Sequence, residues 1–148
     1  MKRIVMTAAL VVASTALTLA HVGVRPRESK PNAEERYTVR VPTEGAVTTT
    51  QVVLEVPAGV TVLEVLPTEG ATFEVAKQGD RITAITWKKE IPPKMVGEFV
   101  FRARNPASGD LVWKAHQQFA DGTTADWVGA AGDRRPAAIT KLTGATGQ

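Results

Sequence analysis

Cysteine is absent from the 148 residues. No disulfide can staple the fold, no thiolate can ligate a metal and no thiol can act as a nucleophile, so the domain must be held by packing alone. Methionine is nearly as scarce, since Met1 and Met6 fall in the first twenty residues and Met95 stands alone. That scarcity excludes a soft, sulfur-rich site for a cuprous ion. The three-and-four spacing of an amphipathic helix is missing throughout. Beyond residue 20 there is no second stretch of eighteen apolar residues, so no membrane span is expected in the mature chain. Histidine occurs only twice, as His21 and His116. No Gly-x-Ser-x-Gly elbow or other nucleophile setting accompanies His116, which makes hydrolysis a poor reading.

The first twenty residues have the form of an export signal. Met1-Lys2-Arg3 is a short basic head, Ile4 to Leu19 is uncharged and mostly apolar, and Thr18-Leu19-Ala20 closes the run with small residues at the positions a signal peptidase reads. Cleavage after Ala20 is expected, placing the mature chain in the periplasm or outside the cell and making His21 its first residue. With Lys2 and Arg3 gone, the formal charge falls from +3 to about +1. The basic balance is therefore largely an export feature and does not support nucleic-acid binding, which needs Lys and Arg clustered on one face.

The mature chain reads as short segments of period two, interrupted by Pro, Gly, Asn and Asp. Strands are expected at Tyr37 to Val41, Gln51 to Val56, Val60 to Leu66, Thr72 to Ala76, Arg81 to Trp87, Glu98 to Arg104, Leu111 to Phe119 and Thr124 to Val128, with Lys77-Gln78-Gly79-Asp80 as a hairpin connection. Seven or eight such strands fit an all-β, antiparallel two-sheet sandwich of immunoglobulin, fibronectin type III or cupredoxin-like form, with a small barrel as the competitor. Alternation puts Leu111, Trp113, Ala115, Gln117 and Phe119 on one face and Val112, Lys114, His116 and Gln118 on the other. Trp87 and Trp113 are expected in the core. One domain over residues 21–142 and a loose tail over 143–148 complete the expected organisation.

A histidine at the start of a chain offers two nitrogen donors that an internal one cannot. The α-amine, with an ordinary pKa of about 7.7–8, yields its proton to a metal readily, and imidazole Nδ1 of the same residue closes a ring on the same ion. Two nitrogens of this kind favour cupric copper, which stands highest in the divalent affinity order. A carboxylate is needed to finish such a site. The other amino-terminal copper arrangement requires histidine at the third mature position, which here is Gly23. His116, between Lys114 and Gln118, reads as a residue of a solvated face, with a ligand role or local hydrogen bonding as the alternatives.

The runs "AHVGVRPRES", "ERYTVRVPTEGAVTTTQVVLEVPAGV", "EFVFRARNP" and "VWKAHQQFADGTTADWVG" resemble, in order and spacing, the YcnI-like family of exported bacterial copper-binding domains. The resemblance covers residues 21 to about 128 and implies a sandwich fold. It also implies a Cu(II) site made by the amine and Nδ1 of the first mature residue, one glutamate and a nearby tryptophan. Carried over by position, these are His21, Glu44 and Trp127. Glu28, Glu35, Glu69 and Asp126 are other acids that folding could bring close. Tyr37 and Arg36 could stand behind the ligands, and Arg134-Arg135 has no role that the sequence supplies. The expected function is non-enzymatic copper binding in homeostasis or delivery, with a copper-transport or chaperone protein as a possible partner. A copper-dependent redox enzyme and a metal-free structural sandwich are the alternatives.

Overall fold

The computed structural model describes residues 20–144, so the expected signal segment up to residue 19 and residues 145–148 of the expected tail lie outside it. Every regular element among the described residues is a strand. In chain order these are β1 (Gly23–Arg25), β2 (Glu28–Ser29), β3 (Glu34–Pro42), β4 (Thr49–Glu55), β5 (Thr61–Val65), β6 (Thr72–Gln78), β7 (Arg81–Ile91), β8 (Val96–Arg104), β9 (Leu111–Trp113), β10 (Ala115–Phe119), β11 (Thr124–Trp127) and β12 (Ala138–Leu142). One layer is a four-stranded sheet ordered β1-β3-β8-β5, and the other is a five-stranded sheet ordered β11-β10-β4-β7-β6. The pairings within both are antiparallel. This is the expected sandwich, with a third small sheet, β2-β12-β9, added to it.

The alternation that marked the strands also builds the core. Val39 and Val41 of β3, Phe99 and Phe101 of β8, Val52 and Leu54 of β4, and Ile85 and Trp87 of β7 all point inward and are buried. Tyr37, Phe101 and Trp113 form one aromatic knot with ring centroids 5.0–5.6 Å apart, and Trp87 stacks on Phe99 at 5.0 Å. Offset and edge contacts of this kind add roughly 0.5–1.5 kcal/mol per pair beyond the area they bury. They do for this cysteine-free domain what a disulfide does elsewhere.

Leu111 to Phe119, expected as one strand, is two. The chain leaves the small sheet after Trp113 and joins the five-stranded sheet at Ala115, with the Lys114 carbonyl between them accepting the Glu55 amide at 2.9 Å. Inward alternation survives the switch, because Leu111, Trp113, Ala115 and Gln117 are all buried. Strand β12, which the Gly- and Ala-rich end of the sequence did not announce, is fixed by Thr140. Its hydroxyl donates to the Pro26 carbonyl at 2.8 Å and receives the Trp113 Nε1–H at 3.1 Å. Thr143, assigned by sequence to the tail, donates its amide to the Ser29 carbonyl at 2.8 Å.

A β-bulge in β4 shapes the end of the sandwich that matters below. Val52 and Leu54 face inward, so strict alternation would aim Thr50 at the core. The register slips between Thr49 and Gln51, and Thr49 is the residue that turns in and is fully buried. Re-aiming a side chain is what the extra residue of a bulge does.

Candidate functional site

His21 stands two residues before β1, the edge strand of one sheet, while Trp127 ends β11, the edge strand of the other. Val22 and Val24 are buried on one side of the chain, and period two leaves the His21 side chain exposed. The two edges meet there. The His21 and Trp127 rings lie with centroids 5.7 Å apart and planes inclined by 53°. Glu44 stands in the loop that follows Pro42, where β3 ends. All three residues line one open cleft of about 340 Å³, together with Gln117, Phe119, Arg134 and Arg135.

Glu44 is the sole carboxylate lining this cleft. The other acids considered from the sequence are engaged elsewhere. Glu35 accepts a hydrogen bond from Ser29 Oγ at 2.8 Å and, with Glu28, borders a separate depression near Thr143. Glu69 lies in the loop between β5 and β6 and offers its carbonyl to Lys89. Asp126 faces away from the cleft on the reverse side of β11, bonded to His116.

Tyr37 does not stand behind the site. Its hydroxyl is buried in the core and donates to Asn105 Oδ1 at 2.6 Å, and burial pushes its pKa up to about 12. Arg36 is likewise not among the cleft residues.

The residue that does stand behind the site is Gln117, which sequence alternation placed on the inner face without giving it a task. Its Oε1 accepts the Trp127 Nε1–H at 3.1 Å. Its Nε2 donates to the Pro42 carbonyl at 3.0 Å and to Thr49 Oγ1 at 2.7 Å. The Thr49 hydroxyl in turn meets that of Thr43 at 2.7 Å, and Thr43 Oγ1 donates to the Ile91 carbonyl at 2.9 Å. Thr43, Thr49 and Gln117 are each no more than 2% exposed. One buried chain of polar contacts therefore runs from the Trp127 indole to the residue next to Glu44. The bulge that turns Thr49 inward is what closes it.

His116 belongs to the opposite face of β10. Its Nδ1 lies 2.7 Å from Asp126 Oδ1 and its Nε2 lies 2.8 Å from Glu55 Oε2. Both ring nitrogens are thus engaged, which is the local hydrogen bonding considered above and leaves no free nitrogen for a metal. Partial burial lowers the His116 pKa, but the hydrogen bonds and negative charges of Asp126 and Glu55 outweigh it and the net direction is upward. A raised folded-state pKa contributes stability that is fully present below the ordinary value of about 6.5 and fades as pH rises through the folded value. His116→Asn is accordingly expected to lower the urea midpoint more at pH 5.5 than at pH 8.5. With the imidazole 37% exposed, solvent screening keeps the difference to no more than about 1 kcal/mol. Equal losses at both pH values would contradict the clamp.

Among the described residues, no group of three or more His, Cys, Asp and Glu side chains could hold a metal ion. The cleft supplies one imidazole and one carboxylate.

Residues 21–142 match the family model described as "Domain of unknown function (DUF1775)". The chain belongs to this family. Within the same relationship, the chain is 34% identical over 135 residues to the copper-binding protein CutI of Bacillus subtilis (strain 168). That alignment takes in 88% of this chain, which spans 66% of the length of that curated relative. The likeness to CutI is the one expected from the YcnI-like resemblance. Among solved structures, a protein from Nocardia farcinica with an immunoglobulin-like fold superposes with a TM-score of 0.72 at 23% identity, covering 83% of this chain and 99% of that one. A non-cellulosomal cohesin from Archaeoglobus fulgidus superposes with a TM-score of 0.53 at 13% identity, over 84% of this chain and 91% of the other. At these identities the two structures speak for the immunoglobulin-like fold of this DUF1775 domain and nothing more. No helix among the described residues is long and apolar enough to cross a membrane.

Proposed function

We propose that the exported chain, cut after Ala20, binds one cupric ion through the α-amine and Nδ1 of His21 and the carboxylate of Glu44, with the Trp127 indole beside the metal. The observation that carries this reading is the meeting of His21, Glu44 and Trp127 in one cleft whose lining has no other carboxylate. Three further facts support it. The family match begins at His21 itself, a relative of 34% identity is named for copper binding, and no thiol or second free imidazole is at hand to compete.

The donor set fits a cupric ion. Two nitrogens and a carboxylate oxygen suit a borderline divalent ion, and the α-amine lies nearer neutrality than a lysine amine, so the metal displaces its proton at low cost. Glu44 offsets part of the ionic charge. The cleft is open and its ligands are exposed, so the ion remains accessible to an acceptor. That accessibility favours carriage or delivery outside the cytoplasm over catalysis, in the service of copper homeostasis and with a copper-transport or chaperone protein as partner. No residue in the cleft is placed to act as a general acid or base once Glu44 is a ligand.

The test is a titration of the protein beginning at His21 with Cu(II). One equivalent should bind and give a type 2 electron paramagnetic resonance spectrum with couplings from two nitrogens. Glu44→Gln should weaken binding by about 10–100-fold while the nitrogen couplings persist. An unchanged affinity in that variant would remove Glu44 from the site.

A further inference from the structure

Arg134 and Arg135 are the charged cleft residues that copper binding does not use. Two consecutive residues of an extended strand point to opposite faces, yet both of these line the cleft beside His21 and Trp127. The loop that carries them is closely built. The Gly129 amide donates to the Arg135 carbonyl at 2.9 Å, the Ala137 amide donates back to the Gly129 carbonyl at 2.9 Å, and Asp133 Oδ2 receives the Ala130 amide at 2.8 Å. A Cβ at Gly129 would stand 2.7 Å from Asp133 Oδ2 and 3.0 Å from the Arg135 carbonyl, so a side chain there would force the loop open. Local structure thus holds the backbone of both arginines at the rim of the cleft, with their side chains exposed.

Their charge is unanswered. Arg40, Arg102 and Arg104 each pair with a glutamate on the sheet surface at 2.6–3.3 Å. Neither Arg134 nor Arg135 makes an ion pair or a side-chain hydrogen bond among the described residues. The cleft lining carries these two cations against the single anion Glu44. Occupation by a cupric ion would add two more positive charges, which an oxygen anion of matching size could balance. The planar guanidinium fork suits a carboxylate in particular.

We propose that Arg134 and Arg135 form a subsite for a small di- or tricarboxylate anion, which occupies the cleft next to the metal position and strengthens cupric binding from there. The cleft, at about 340 Å³, is at the small end of ligand pockets and accommodates such an anion. The second half of the proposal rests on the copper reading given above; the first half does not. Linkage makes the coupling reciprocal: whatever factor the anion adds to copper affinity, copper adds to anion affinity.

Citrate is the probe for the first half, added at constant ionic strength to the metal-free protein beginning at His21. Nuclear magnetic resonance should show saturable shifts at the Trp127 indole and in residues 129–136, and the double variant Arg134→Gln, Arg135→Gln should weaken binding at least about 10-fold. Tricarballylate, a weaker chelator, then serves as the additive in cupric titrations, where it should tighten copper binding by about 5–150-fold in the parent and not in the variant. Without any carboxylate, the variant should bind copper at least as tightly as the parent, since two repelling charges are gone. Shifts that persist in the double variant, or that centre on Arg25 and Arg27, would overturn the subsite. So would saturation by a triglutamate peptide with none by citrate, which would assign the arginines to a protein partner. Citrate binding at the arginines in a protein that takes up no copper would leave the anion subsite standing and defeat the copper reading together with the coupling.

Discussion

Acetylation of the His21 α-amine, in the protein beginning at His21, lowers cupric affinity more than about 100-fold and leaves the fold unchanged. The loss follows from the chemistry of the nitrogen. An α-amine needs to shed one proton from a group of pKa about 7.7–8, whereas the amide that replaces it has no lone pair to offer near neutrality. The five-atom approach from amine to Nδ1 is lost with it, and what remains is one imidazole and one carboxylate. Removing a mere outer partner of a metal ligand already costs about 10–100-fold in affinity, so losing a donor and its chelate ring must exceed that. The scaffold has no stake in the change. Ala20 is exposed and lies outside any strand, β1 begins only at Gly23, and with Ala20 still joined to it the His21 ring lies 5.7 Å from Trp127. The measurement is a pair of competition titrations against a chelator of known affinity, with thermal melts of both proteins. Equal affinities would eliminate the amine as a ligand and with it the amino-terminal copper site.

Period-two patterning made the sandwich legible because each sheet has one dry face. Leu111, Trp113, Ala115 and Gln117 are buried while Val112, Lys114 and Gln118 are not, as alternation requires. Strands β1, β2 and β12 were not legible, since two or three residues, or an Ala-Ile-Thr-Lys-Leu run after a Gly-rich loop, present too little pattern. Their pairing is decided by distant partners such as Thr140 with Trp113 and Pro26. The cleft divides in the same way. His21, Glu44 and Trp127 were named through a resemblance, and the structure adds that they share a wall. The roles of Gln117, Thr49 and the two arginines depend on a bulge and on a loop bent against Gly129. Neither feature has a local signal: Thr49 lies where alternation aims the wrong residue inward, and Arg134-Arg135 reads like any solvated basic pair.

Gln117→Leu is expected to destabilise the domain by about 2–5 kcal/mol, from orphaned partners rather than from lost volume. Leucine is of similar size and would sit comfortably among Phe119, Ala125 and Trp127. It would leave the Trp127 Nε1–H without its acceptor and the buried Pro42 carbonyl without its donor, where Gln117 and Trp127 are only 2% and 6% exposed. An unsatisfied buried group costs about 1–3 kcal/mol, and two are created. Trp127→Phe removes the indole donor and should be milder. Because Gln117 Oε1 and Trp127 Nε1 lose each other only once, the double variant should fall short of the sum of the singles by about 0.5–3 kcal/mol. Denaturant midpoints for the four proteins measure that coupling. The copper titration separates positioning from mere stability: under conditions where Gln117→Leu is fully folded, its cupric affinity should still drop, because Pro42 anchors the start of the Glu44 loop through the bond that leucine cannot make. A variant that is less stable yet binds copper as the parent does would confine Gln117 to the core and detach the polar chain from the site.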